Sequence, residues 1–372
     1  MKITDIEPIY LSLPVIDTER GDGTQDTLLI LVHTDEGITG IGEVDSSPLV
    51  AKAVVEAPAS HSIAAGLRHL LVGEDPREID RLWAKMYQGT RYFGISGPAI
   101  HAISGVDIAL WDIAGQAADR SIASMLGGVY RDKIKAYASA IMPETPEEAA
   151  DMAREYADRD YLAMKFGWGP IGRDPKLDDE LVIAIRDAVG SDIDIMIDAG
   201  QQWDLKGALR MADVCADQGV YWLEEPLFSD DLAGYRELCR RTDVRIAAGE
   251  QESTYRGFQQ LLDDGGIDIV QPDLARCGGF TAGKRIAQLI ADRHRSIVPH
   301  AFKTGVLVAA TAHFVAGIPN GHLMEHTVSE SPLSRDLVLT AAEYSKGYVS
   351  LRVDKPGLGI ELNYDIVKTY RQ

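Results

Sequence analysis

The sequence predicts an α/β protein built on a closed barrel of parallel β/α units. Three observations carry this expectation. From about Lys133 onward, eight short apolar runs are separated by longer amphipathic or mixed stretches. Acidic residues stand at the ends of consecutive runs, one β/α unit apart. An open doubly wound sheet would alternate in the same way. However, no GxGxxG follows an early strand and no GxxxxGK motif occurs, so a nucleotide-binding reading has no motif behind it.

The 372 residues suit one large domain plus a smaller one, and 45% hydrophobic with 25% charged residues reads as globular and soluble. A net charge of -20 argues against nucleic acid and anionic membranes as partners. It permits a small anionic substrate if a metal or a local lysine reverses the field. Cys215, Cys239 and Cys277 are odd in number and scattered, so they form neither a disulfide framework nor a zinc motif. The start of the chain alternates like a strand and lacks a signal peptide's apolar stretch. No run approaches the length needed to span a membrane, so a cytoplasmic protein is expected.

In order along the chain, residues 3–13 alternate as a strand and the polar, Gly-containing 17–25 is a loop. Residues 27–32 and 37–43 form a hairpin around Asp35-Glu36-Gly37. Ile100, Ile103, Val106, Leu110, Ile113 and Ala117 recur at helical spacing, and Gly127-Gly128 provides a stop. The barrel strands are expected at 134–141, 162–166, 193–198, 220–225, 245–250, 267–273, 296–300 and 322–325. The tail from about Pro332 returns to β-like sequence.

The strand ends carry the chemistry. Asp198, Glu224 and Glu250 close three consecutive strands at intervals of 26 residues. In a barrel such ends share one mouth, where three carboxylates repel one another unless a cation sits among them. All-oxygen ligation suits a hard ion such as Mg²⁺. Glu224 is chosen over Glu225 because neighbours on a strand face opposite ways. Asp273 and His300, 23 and then 27 residues further on, are placed to form a dyad in which the acid orients the imidazole. The other eight histidines read as structural. Lys165, near the end of the second strand, is a cation for a substrate carboxylate or a base of altered pKa. Glu325, on the eighth strand, could donate a hydrogen bond to a developing enolate if its pKa is raised.

On these residues the chain resembles the mandelate racemase subgroup of the enolase superfamily over essentially its whole length. The resemblance rests on TDEGITGIGE and SGVDIALWDIAG near the start, then on Lys165, Asp198, Glu224-Glu225-Pro226, Glu250, Asp273, His300 and Glu325 in order. It implies a (β/α)₇β TIM-like barrel with an α+β capping domain. Residues 1–130 would form the cap, 131–331 the barrel, and 332–372 would return to the cap. It implies one Mg²⁺ per active site on Asp198, Glu224 and Glu250. It also implies His300 as acid/base with Asp273 as partner, and Glu325 as hydrogen-bond donor. Lys165 matches the first lysine of the family's Lys-x-Lys motif.

Two positions depart from the pattern. Gly167 replaces the second lysine, the acid/base on the opposite face, and Gly200 stands where relatives often carry Asn. A single base suits β-elimination. The resemblance therefore implies a lyase that dehydrates an acid sugar, an aldonate or aldarate, to a 2-keto-3-deoxy acid. The runner-up is an isomerase, a racemase, epimerase or sugar-lactone cycloisomerase, using the same enediolate. A metabolite-binding barrel without catalysis is the alternative of another class. Specificity would come from the cap loops 17–25 and 44–48, with Asp17, Arg20 and Asp22 as polar contacts. A homo-oligomer is expected by analogy.

Overall fold

The computed structural model describes residues 1–19, 21–340 and 342–372; Arg20 lies outside them. The cap begins with an antiparallel sheet of β1 (Ile3–Ser12), β2 (Asp26–Thr34) and β3 (Thr39–Val44), in that order. Gly37 makes the β2–β3 turn with a φ of 81°, as the Asp35-Glu36-Gly37 signal requires. Helices α1 (Pro48–Glu56), α2 (Leu67–Leu71), α3 (Ile79–Gly89), α4 (Pro98–Ala118) and α5 (Ile122–Leu126) follow. The central helix, α4, presses directly on β3. A Cβ at Gly42 would lie 1.9 Å from the Gly105 carbonyl oxygen, so only glycine permits this approach.

The barrel strands are β4 (Lys133–Ile141), β5 (Ala163–Gly167), β6 (Asp194–Asp198), β7 (Trp222–Glu224), β8 (Arg245–Ala248), β9 (Ile269–Val270), β10 (Ser296–Ile297) and β11 (Leu323–Thr327). They pair in parallel from β4 to β10; β11 pairs with β4, and an Ile297–Gly321 bridge closes the ring. The intervening helices are α6 (Pro146–Asp158), α7 (Pro175–Val189), α8 (Leu205–Asp217), α9 (Leu232–Arg241), α10 (Thr254–Gln260), α11 (Gly279–Asp292) and α12 (Gly305–Gly317). Eight strands with seven helices between them make a (β/α)₇β barrel. No described helix is long and apolar enough to cross a membrane.

After β11 come α13 (Pro332–Arg335), a hairpin of β12 (Glu343–Ser345) and β13 (Tyr348–Ser350), and α14 (Tyr364–Tyr370). The hairpin extends the barrel through β4, antiparallel, while Arg371 bridges to Leu11 of the cap.

Period-two alternation sets the level of the chemistry. Tyr137, Ala163, Met196, Trp222, Ala247, Ile269, Val298 and Leu323 form a buried cluster inside the barrel. The residues two steps further along β5, β6, β7 and β11 are Lys165, Asp198, Glu224 and Glu325. These four side chains thus rest one layer above an apolar floor.

Cap and barrel are joined by buried carboxyls that accept backbone N–H groups. Glu43 of β3 accepts from the Leu307 N–H at 3.0 Å and the Thr304 hydroxyl at 2.9 Å, at the start of α12. Asp107 of α4 accepts from the Thr281 N–H of α11. Burial pushes both carboxyls up to about 7, with the hydrogen bonds pulling the other way. The folded pKa therefore exceeds the unfolded one, and the unfolded chain binds fewer protons between about pH 4 and 7. These groups make stability fall as pH rises through that window. For Glu43 alone the full effect is on the order of 3 kcal/mol. Glu43→Gln keeps an acceptor for Leu307 without the ionisation. We expect its denaturation midpoint to gain on that of the wild type between pH 5 and pH 8; parallel pH profiles would refute the assignment.

Candidate active site

The mouth of the barrel encloses a cavity of about 320 Å³. Its lining includes Lys165, Gly167, Trp168, Asp198, Glu250, Arg276, His300 and Glu325 from the barrel, with Gly21, Asp22 and Asp45 from the cap. Asp198, Glu224 and Glu250 are all buried, and each offers an oxygen within 4.8 Å of the others. Lys165 Nζ lies 2.5 Å from Glu224, 3.0 Å from Glu325 and 3.7 Å from Asp198. Among the described residues Lys165 alone pairs with both Asp198 and Glu224, which leaves these two acids short of positive charge. Burial and the charge of Glu224 push Asp198 up to about 8, against the pull of Lys165. An all-oxygen, anionic, under-neutralised set fits a hard divalent cation.

Glu224 is fixed from both sides. Its second oxygen accepts from Trp222 Nε1 at 2.8 Å and Gln271 Nε2 at 2.7 Å. Glu250 lies off the ladder of β8, where Gly249 turns the chain with a φ of 136°. Burial raises the Glu250 pKa, but the charges of His300 and Arg276 outweigh it and hold the group ionised. Sequence reasoning set Glu225 aside, yet it too is buried. β7 ends at Glu224, and Glu225, with a φ of 38°, no longer obeys strand alternation. Its carboxyl accepts from Gln201 Nε2 at 2.8 Å, and burial plus the charges of Glu250 and Asp198 drive its pKa well up.

The Asp273–His300 pair forms as the spacing suggests. His300 Nδ1 lies 2.6 Å from Asp273 Oδ2, and the other Asp273 oxygen accepts from the Ala275 N–H. The opposite ring nitrogen, Nε2, lies 3.3 Å from Glu250 and 4.0 Å from Glu325. Burial disfavours the imidazolium, but these three carboxylates prevail and push His300 up to about 10.

Glu325, Lys165 and Asp17 meet surroundings that the spacing did not show. The condition for Glu325 as a donor, a raised pKa, is opposed by its neighbours. Burial raises it, but Lys165 and His300 dominate and hold it at about 2. It accepts from the Ser139 hydroxyl and the Ala301 N–H, both at 2.6 Å. Of the two roles expected for Lys165, its surroundings favour the cation, because the acids overcome burial and keep it protonated. Asp17 does not reach the cavity. Its carboxylate accepts from Glu19 N–H within its own loop, while Asp22 does line the cavity.

Gly167 and Gly200 both have a steric explanation. A Cβ at Gly167 would lie 2.3 Å from Asp198 Cβ, so no lysine can stand there unless Asp198 moves. At Gly200, φ is +54° and a Cβ would meet the Trp168 indole at 3.0 Å, so the indole fills that space.

Sequence reasoning missed Asp45, Arg276 and Lys303. Arg276 lies 2.8 Å from Asp45 and 3.3 Å from Glu250, and Lys303 lies 3.3 Å from Asp45. Arg276 and Lys303 each follow a predicted site residue, Asp273 and His300, by three positions. Charge just beyond a barrel strand end was the available signal.

A (β/α)₇β barrel whose mouth gathers three carboxylates and an imidazole–carboxylate pair under an α+β cap defines a class of enzyme-like scaffold. Residues 6–127 match the mandelate racemase / muconate lactonizing enzyme N-terminal domain and residues 148–366 the enolase C-terminal domain-like family. The chain belongs to this mandelate racemase/muconate lactonizing enzyme family of the enolase superfamily. It is 33% identical to a D-galactarolactone cycloisomerase of Agrobacterium fabrum, covering 92% of this chain and 91% of that one. It is 31% identical to a D-xylonate dehydratase of Haloferax volcanii, covering 95% and 88%. The crystal structure of a 3,6-anhydro-D-galactonate cycloisomerase from Zobellia galactanivorans superposes with a TM-score of 0.91 at 29% identity, over 100% of both chains.

Proposed function

We propose that the chain removes the proton α to the carboxylate of an acid sugar and expels the β-hydroxyl as water, giving a 2-keto-3-deoxy acid. One observation carries this reading: among the described residues a single imidazole with a buried partner faces the acid cluster, while Gly167 offers no second proton carrier. Mg²⁺ held by Asp198, Glu224 and Glu250 would supply positive charge for the substrate carboxylate.

The chain's own residues account for the proton movements. Neutral His300, its Nδ1–H donated to Asp273, takes the α-proton on Nε2. Neutralising the charge on Glu250 weakens the attraction that now favours the imidazolium, which readies the ring as a base. Protonated Lys165 stabilises charge growing on the carboxylate oxygens as the Cα–H bond breaks. The electron pair forms the Cα–Cβ double bond, the Cβ–O bond breaks, and imidazolium delivers the proton that leaves with the hydroxyl as water. The enol then ketonises.

The test is incubation with Mg²⁺ and a panel of aldonic and aldaric acids, assayed for a semicarbazide-reactive keto acid. No product from any member, with metal bound, would refute dehydration. A second reading has its own support: the same one-sided elimination can expel a ring oxygen tethered to the substrate, as the names of two similar proteins suggest. Mass spectrometry separates the two, because dehydration gives a product lighter by one water and cycloisomerisation an isomer.

A further inference from the structure

We propose that the indole of Trp168 is the platform on which the sugar acid lies, and that it decides which substrates fit. The inference rests on the acid-sugar reading above. Trp168 leaves the barrel directly after β5, whereas His300 follows β10. Around the closed ring, β10, β11, β4 and β5 are successive neighbours, so the two residues stand three strands apart. Both line the same cavity.

Two residues that fit only because they are glycines press on the indole. A Cβ on Gly21 of the cap loop would lie 2.7 Å from Trp168 Cε3, and one on Gly200 would lie 3.0 Å from Cδ2. Cap loop and β6 loop therefore close directly onto the ring system. The backbone is pinned as well: the Trp168 N–H donates to the Asp198 carbonyl at 3.2 Å, and its carbonyl accepts from Ile171. Trp168 has a φ of 59°, which a bulky side chain rarely adopts. Two glycines and a ladder of contacts thus maintain a costly conformation at the edge of the site.

The rest of the lining explains what the indole is for. Lys165, Asp198, Glu250, His300 and Glu325 belong to the reacting end. Asp22, Asp45 and Arg276 are polar and suit hydroxyls. The large aromatic surface comes from Trp168 and Phe302. Trp168 is only half-buried. An acid sugar carries C–H bonds of partial positive charge beside its hydroxyls. These match the negative face of an indole, whose N–H can also reach a hydroxyl. The same wall stands beside Gly167, so it closes the side from which a second acid/base would act.

The test compares wild type, Trp168→Leu and Trp168→Phe on the acid sugar that the panel identifies. We expect KM to rise about tenfold in W168L with kcat within about threefold, and a smaller rise in W168F. A second readout is independent of turnover. In the His300→Asn protein, addition of the same substrate should change the tryptophan emission saturably, and His300→Asn/Trp168→Phe should lose that change. An unchanged KM in the folded variants, or an emission change that survives W168F, overturns the proposal. Wild-type silence across the panel refutes the reaction itself and takes this inference with it, whereas turnover indifferent to Trp168 refutes only the platform.

Discussion

His300→Asn is expected to lower kcat by roughly 100- to 10,000-fold while leaving the fold intact. In the proposed mechanism the ring takes the α-proton, and among the described residues Gly167 has no side chain to replace it while Lys165 is held protonated by its acids. Asp273→Asn should fall nearly as far. Asp273 uses one oxygen for the Ala275 N–H and the other for His300 Nδ1. An amide has a single acceptor, so its NH₂ must oppose one of those N–H groups and turn the ring or force the wrong tautomer. The measurement is keto-acid formation, with α-deuterium exchange as a separate readout of proton removal. Turnover within a few-fold of wild type in H300N would end the proposed mechanism.

Glu250→Gln, Asp198→Asn and Glu224→Gln are each expected to abolish saturable Mg²⁺ binding and to lower turnover by about a thousandfold or more. Each removes a ligand charge without changing volume. Calorimetric titration with Mg²⁺ tests the binding directly, whatever the substrate. Without metal, Asp198→Asn should melt at or above the wild-type temperature. Burial and Glu224 already push the Asp198 carboxyl up to about 8, so its charge is unfavourable until a cation arrives. Unaltered Mg²⁺ affinity in the Glu224 or Glu250 variant would show that the ligand set is wrong.

The repeating carboxylates made the barrel legible because each β/α unit has nearly the same length and because period-two alternation fixes what faces inward. Lys165, Asp198 and Glu224 could be placed this way, since they lie within strands. Glu250, Asp273 and His300 lie beyond the ladders of β8, β9 and β10, where spacing sets register but not direction. Glu225 shows the limit of the alternation rule: one residue past β7 a positive φ ended it. Protonation was less legible still. Whether Glu325 has a raised pKa was left as a condition by its place on the strand, and its surroundings bear on it through Lys165 and His300, which converge from other strands and pull its pKa down.

The order and spacing of residues by themselves determined the barrel, the ring position of each reacting group and the lack of a second lysine, since these follow from chain length per unit and side-chain alternation. Only the tertiary structure decided the charge states, the pairing of Asp45 with Arg276 and Lys303, and the wall that Trp168 makes between Gly21 and Gly200. Those depend on groups distant in sequence meeting within a few ångströms in a place that water does not screen, and no local pattern encodes such a meeting.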